Sequence, residues 1–140
     1  MTDVADDLDQ QLWDFVYAYD AAYDRAAQAV GLSAAQACLL AQLTGGSRSM
    51  GELAVALLCD ASNVTQLVAR LDAGGLVTRL ADPADRRVKR VSITAAGRRV
   101  HRAVRRAFEF PSARISRLTR REQGQLSELL TKLLSPAPSS

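Results

Sequence analysis

The sequence predicts a mainly α-helical protein with one small β-hairpin, and three observations predict it. Apolar residues recur at three- and four-residue spacing along most of the chain, which is the periodicity of amphipathic helices. Residues 76–93 switch to strand-like alternation on either side of a proline-containing turn. Three Ser/Thr-x-x-Gln/Glu patterns (Ser33–Gln36, Ser49–Glu52 and Thr119–Glu122) stand where helical periodicity begins. With 140 residues, 48% of them hydrophobic, the chain is one domain's worth and can bury a real core.

The first helix covers residues 6–30. Leu8, Leu12, Val16, Tyr19, Tyr23, Ala26 and Val30 form its apolar stripe, and Trp13 and Phe15 widen it. That is more apolar surface than one contact face needs. It suits burial against a second subunit as well as a thick intramolecular core. Gly31 and Leu32 interrupt the helix. A second one, capped by Ser33, runs to about Thr44 with Ala37, Leu40 and Leu43 inward. After the Gly45-Gly46-Ser47 loop, Ser49 opens a short helix at 51–58 whose core face is Leu53, Ala54 and Leu57. Cys59-Asp60-Ala61 reads as a turn, with Cys59 where an apolar side chain would be tucked in.

In the next helix Val64, Leu67, Val68 and Leu71 stand at i, i+3, i+4 and i+7. Ser62, Asn63, Thr65, Gln66, Ala69 and Arg70 take the other face, which has no carboxylate before Asp72. A merely solvated face would normally carry Lys and Glu. Asp60 or Ser62 can cap the start by accepting a free backbone N–H, and Gly74-Gly75 ends the helix. Residues 76–80 and 88–93 are strand candidates, joined by Ala-Asp-Pro-Ala-Asp-Arg-Arg. A polar-faced helix followed by a basic hairpin is a winged helix-turn-helix arrangement. The helix would enter a major groove, and the hairpin would reach the backbone or the adjacent minor groove. Asn63 and Gln66 can each pair bidentately with adenine, and Thr65 can meet a base edge or a phosphate. Ser62, Asn63, Thr65 and Gln66 form the groove-facing set, with Arg70 reaching phosphate. Asp85, Arg86 and Arg87 make the hairpin tip, and Lys89 and Arg90 follow as phosphate contacts.

After the hairpin, Thr94 caps a long helix with Val100, Val104, Ala107, Phe108, Ile115 and Leu118 on its apolar side. Pro111 should kink or break it near Phe110. The last helix, capped by Thr119, carries Leu126, Leu129, Leu130 and Leu133 on one side, and residues 135–140 read as a disordered tail.

Net charge is only +3, but its distribution is uneven. Residues 1–24 hold seven aspartates and no basic residue, whereas residues 79–106 hold ten basic residues against Asp82 and Asp85. Because the basic segment includes a hairpin tip, a phosphate-binding surface is expected rather than a plain solvated face. Arg98 is expected to extend that surface, with Arg99, Arg102, Arg105 and Arg106 in ion pairs or solvent and His101 as a surface residue. One histidine, no metal-ligand cluster, no nucleophile motif and no glycine-rich phosphate loop argue against an enzyme, and no metal or cofactor is expected. Two cysteines make no disulfide framework. The acidic N-terminus is the opposite of a signal peptide, and no stretch is long and apolar enough to span a membrane, so a cytoplasmic protein is expected.

The run from Asp82 to Gly97, DPADRRVKRVSITAAG, resembles the wing signature of the MarR (multiple antibiotic resistance regulator) family. The preceding CDASNVTQLVARLDAGGLVTR resembles that family's recognition helix and first wing strand, and the order of helices fits along nearly the whole chain. The resemblance implies a sequence-specific regulator of transcription, most often a repressor, that reads palindromic double-stranded DNA as a homodimer. Residues 6–30 and 95–134 would be dimerisation helices around a DNA-binding lobe at 33–94, with a very short strand at Arg48 beside the wing. It implies that Asp85 orients Arg87 into the minor groove, with Arg86 on phosphate or in the exchanged role. A small phenolic or aromatic effector would sit between the dimerisation helices and the lobe, with Trp13, Val16, Tyr17, Tyr19, Tyr23 and Leu40 as lining. Two alternatives stand beside this reading. One is a thiol-based oxidation sensor of the same fold, although the first helix has no cysteine and Cys38 and Cys59 suit core packing. The other is a protein-binding winged helix that never touches DNA.

Overall fold

The computed structural model describes residues 3–137, so the last three residues of the expected tail lie outside the described residues. The described chain forms two compact units that divide between Phe108 and Glu109. The first holds α1 (Val4–Gln28), α2 (Ala34–Gln42), β1 (Arg48–Ser49), α3 (Met50–Leu57), α4 (Ala61–Ala73), β2 (Val77–Ala81), β3 (Lys89–Ile93) and α5 (Ala95–Ala107). The second holds α6 (Phe110–Ile115) and α7 (Arg120–Leu134).

Local chemistry sets most of the boundaries. Ser33 and Gln36 form a reciprocal capping box at the start of α2, with bonds of 3.1 and 2.8 Å. Thr119 and Glu122 do the same for α7, at 3.2 and 2.9 Å. Only half of the third box is present. Ser49 Oγ accepts the Glu52 N–H at 3.1 Å, but the Glu52 carboxylate lies 3.8 Å from Arg90 instead of turning back to the cap. At the start of α4 it is Asp60 that caps, accepting the Asn63 N–H at 2.9 Å, while Ser62 Oγ donates to the same carboxylate at 2.8 Å. The helix ends at Gly74-Gly75, where Gly75 takes φ +75°, a left-handed conformation that costs glycine nothing. Pro111 falls in the first turn of α6, where a missing N–H costs nothing, so the expected break is realised as a gap at Phe108–Glu109.

The core of the first unit is a cluster of Leu39, Leu40, Leu43, Leu53, Val64, Val68, Leu71, Val77 and Val91, all at most 1% exposed. It joins α2, α3, α4 and the helix-facing side of the sheet. Burying each such side chain is worth roughly 1.5–3 kcal/mol. A second cluster, Ala26, Ala27, Ala37 and Val104, packs α1 against α2 and α5. Tyr19 and Tyr23 meet Phe108 edge-on at its margin, with ring centroids 5.1 and 5.0 Å away.

The stripe on α1 is therefore covered only at its C-terminal end. Leu8, Leu12, Phe15 and Val16, earlier along the helix, remain about half exposed. In the second unit Gln123 Nε2 donates to the carbonyls of Ile115 and Leu118, tying the loop to α7, and Leu126, Leu129, Leu130 and Leu133 are exposed along that helix.

The sheet is antiparallel in the order β1-β3-β2. Val77 pairs with Ile93, Arg79 with Val91 and Ala81 with Lys89, while Arg48 pairs with Val91 on the other side. One corner ties three elements together. Thr94 Oγ1 donates to the Gly75 carbonyl at 2.7 Å and accepts from Gly97 N at 3.0 Å, while Thr94 N donates to the Leu76 carbonyl at 3.0 Å.

Candidate nucleic-acid interface

α3, the turn at 58–60 and α4 form a helix-turn-helix, and β2–β3 form a hairpin wing directly after it. Leu58 turns the corner in the left-handed region at φ +52°. Val64, Val68 and Leu71 anchor α4 in the core, which leaves Ser62, Asn63, Thr65, Gln66 and Arg70 on its outer side, Gln66 and the others open to solvent. The expected groove-facing set is thus presented together on a helix whose own core face fixes its rotation. Two of its hydroxyls are already engaged: Ser62 with the Asp60 cap, and Thr65 as donor to the Ala61 carbonyl at 2.9 Å. Asn63 and Gln66 keep their amides for outside partners.

The cap hydrogen bonds from Asn63 N–H and the Ser62 hydroxyl hold the Asp60 carboxyl below its ordinary value. A depressed folded-state pKa contributes stability that is present above the unfolded value and lost as pH falls through the folded one. We expect the start of α4 to loosen when acid protonates Asp60, below the usual aspartate range. Amide exchange at Ser62 and Asn63, followed down the pH scale, should accelerate there, and in Asp60→Asn that acid transition should be absent.

At the wing, residues 82–88 form a closed turn rather than continuing the strands. Asp82 N donates to the Val88 carbonyl at 2.8 Å and Val88 N to the Asp85 carbonyl at 3.0 Å. The turn itself brings Asp85 and Arg87 together. Asp85 Oδ1 accepts both the Arg87 backbone N–H at 3.1 Å and its Nε at 3.4 Å, which holds the guanidinium while its side chain stays 93% exposed. Arg86 and Lys89 are exposed as well.

Arg90 is different. Its Nε and terminal nitrogen donate to Ser47 Oγ and the Ser47 carbonyl at 3.0 and 2.8 Å, and it lies 3.5 Å from Asp82 and 3.8 Å from Glu52. With its donors turned toward the protein, Arg90 braces the wing rather than standing free for phosphate. Arg98 similarly donates to the Thr44 carbonyl at 3.3 Å. Partial burial, with Arg105, Arg102 and Arg98 around it, lowers the pKa of His101.

The six residues expected to line an effector pocket are not gathered in one place. Leu40 is fully buried in the main core, and Tyr23 packs at the margin of the second cluster. Trp13, Val16, Tyr17 and Tyr19 are exposed along α1. The α1 periodicity identifies an apolar face but not what covers it. A cavity of about 580 Å³ lies instead between α2, α3 and α4, and Cys38, Leu57, Cys59, Gln66, Leu67 and Arg70 are among its walls. Burial raises the pKa of the Tyr23 hydroxyl, and its hydrogen bond to Cys38 adds to the effect. Among the described residues no cluster of three or more His, Cys, Asp or Glu side chains has metal-site geometry, and no single helix is long and apolar enough to cross a membrane.

A core-anchored helix with a polar, carboxylate-free outer face, beside a hairpin with arginines at its tip, defines a winged helix-turn-helix DNA-binding regulator of transcription. The comparisons carry the class to a family. The MarR family model matches residues 30–88, from the end of α1 to the wing tip. The fold matches YusO from Bacillus subtilis at 27% identity and a TM-score of 0.74, over 96% of each chain. BpsR from Bordetella bronchiseptica, whose DNA binding is regulated by 6-hydroxynicotinic acid, matches at 24% and 0.76, over 98% of this chain and 99% of that one. A cysteine-to-serine mutant of MarR from E. coli, complexed with operator DNA, matches at 23% and 0.75, over 96% and 100%. No curated protein matches the chain in sequence. The chain is similar to the MarR family of winged-helix DNA-binding regulators over residues 30–88, and its fold matches theirs over nearly its whole length.

Proposed function

We propose that the protein is a homodimeric repressor that reads a short palindrome and is released by a small aromatic ligand. The observation that carries the DNA reading is the outer face of α4, where Ser62, Asn63, Thr65, Gln66 and Arg70 stand together with no carboxylate among them. The assigned roles are Asn63 and Gln66 on base edges, Ser62 and Thr65 on bases or phosphate, Arg70 on phosphate, and Arg87 in the minor groove, held by Asp85. Arg86 and Lys89 meet the backbone.

The dimer is supported by the stripe on α1 that is buried at one end and about half exposed at the other, and by the exposed leucines of α7. Such faces suit burial in a symmetric interface. Two recognition helices about 34 Å apart would then read half-sites one helical turn apart. Ligand control is supported by the cavity beside α4, whose mixed apolar and amide walls and single cationic residue, Arg70, suit a small aromatic ligand that carries an anionic group. BpsR offers a related precedent.

Selection of bound sites from a random duplex library, with affinity followed against salt, tests the reading. A two-fold symmetric site with a steep salt slope is expected, and asymmetric or unenriched sequences would overturn it. Arg87→Ala should weaken binding to all duplexes alike, by about 1 kcal/mol per half-site, and flatten the salt slope by about one unit per half-site. Titration of the variant against specific and scrambled duplexes checks this.

A further inference from the structure

The hairpin carries charge where a core-facing strand position would normally be apolar. Side chains alternate across a strand, so Val77 and Arg79 lie on one face of β2, and Lys89 and Val91 on one face of β3. Val77 and Val91 are buried under α4 and α3, so this is the helix-facing side of the sheet. Arg79 pairs directly with Val91 in the ladder, and Lys89 with Ala81. Past the end of the core, the same face therefore turns from valine to two cations.

Those cations border a groove of about 570 Å³ between α4 and the wing. Thr65 stands on its helix side, Ser49 and Gly51 at the start of α3, and Arg79, Arg87 and Lys89 on its wing side. Among the described residues, none of those lining it is acidic. Asp72, the partner of Arg79, lines a neighbouring depression instead. From there its Oδ2 accepts Nε and one terminal nitrogen of Arg79 at 3.3 and 3.0 Å. One edge of the guanidinium is thus held by the end of α4, and the other terminal nitrogen remains for an outside acceptor.

An isolated, half-exposed ion pair of this kind contributes little stability. A fixed arginine, a lysine and a second arginine around one groove make a site for an extended anion. Resting on the DNA reading above, we propose that this groove seats the single phosphodiester strand that must run between a major groove filled by α4 and the adjacent minor groove entered by the wing. Arg79 is its central contact and Asp72 its positioning residue. The major- and minor-groove faces of a duplex are separated by one sugar-phosphate strand, so an element in each leaves that strand between them.

The test is the slope of log affinity against log salt on one duplex, which falls by about 0.9 for each phosphate no longer neutralised. Arg79→Gln should flatten the slope by about two units for the dimer, about 0.9 in each half-site, with equal weakening on specific and scrambled duplexes. Arg79→Lys should keep the wild-type slope, because it keeps the charge. Lys89→Gln, on an exposed side chain, should flatten the slope by a similar amount, and the double variant by about twice as much. Wild-type slopes in both Arg79→Gln and Lys89→Gln, alongside a steep wild-type slope, would overturn the groove and leave the DNA reading intact. A wild-type protein with no salt-dependent duplex binding would overturn the DNA reading itself.

Discussion

Gly97→Ala is expected to destabilise the first unit by about 3 kcal/mol or more, at the upper end for an overpacked core. Gly97 lies in the first turn of α5 and is buried where that helix crosses the start of β2. A Cβ there would overlap the Leu76 carbonyl oxygen and come within 2.7 Å of Ile93 Cγ1. The first obstacle is backbone, and that carbonyl already accepts the Thr94 N–H, so neither side can yield without breaking the corner. Alanine is otherwise the better helix former, by roughly 1 kcal/mol in an open helix. Gly124, on α7 with nothing near its missing Cβ, is the matched control, and there alanine should stabilise. Thermal unfolding of the two variants should move in opposite directions. A Gly97→Ala protein that melts with the wild type would mean the close approach of α5 to β2 is not held in solution.

Gln66→Ala and Asn63→Ala carry the largest expected effect on recognition. Each removes an amide able to pair bidentately with a base, so each should cost roughly 1–3 kcal/mol on the preferred site and relax preference at one base pair per half-site. The effect should be small on scrambled duplexes, which separates these variants from Arg87→Ala. Both side chains lie outside the core. Unfolding should therefore stay within about 0.5 kcal/mol of wild type, as for surface substitutions in general. Binding measured across all single-base variants of the selected site would show the relaxed positions directly. Equal weakening on every sequence would return Asn63 and Gln66 to the phosphate-contacting class.

What could be read from the sequence was local. Two capping boxes, the Asp60 cap, the Gly75 terminus and the break at Pro111 depend on residues a few positions apart, and each lies within a residue or two of its expected place. The rotation of α4 was equally legible, because Val64, Val68 and Leu71 leave one choice of outer face. Arg90 shows where such reading stops. It belongs to a basic run, but its partner Ser47 lies 43 positions away and is brought close only by the pairing of β1 with β3. Glu52 leaves its capping box for the same long-range cluster. The aromatic residues of α1 do not gather into a pocket for a related reason, since helical spacing shows that a face is apolar but not what lies against it. Arg79 had a signal that could have been found: a charge at a strand position whose parity matches Val77.

The corner where Thr94 meets Gly75, Leu76 and Gly97 gives the lobe the mechanics of a lever with one fulcrum. From it α4 extends for 13 residues. At a helical rise of roughly 1.5 Å per residue, that arm is about 20 Å long. The wing strand β2 extends for 5 residues. At a strand rise of roughly 3.3 Å per residue, this second arm is about 17 Å long. A turn of α4 and the wing as one body by about 5° about that point would carry both far ends by about 1.5 Å, roughly half the length of a hydrogen bond. That is enough to unmake contacts in two grooves of a duplex at once. Two arms that share one fulcrum thus move together, without refolding and without a large displacement.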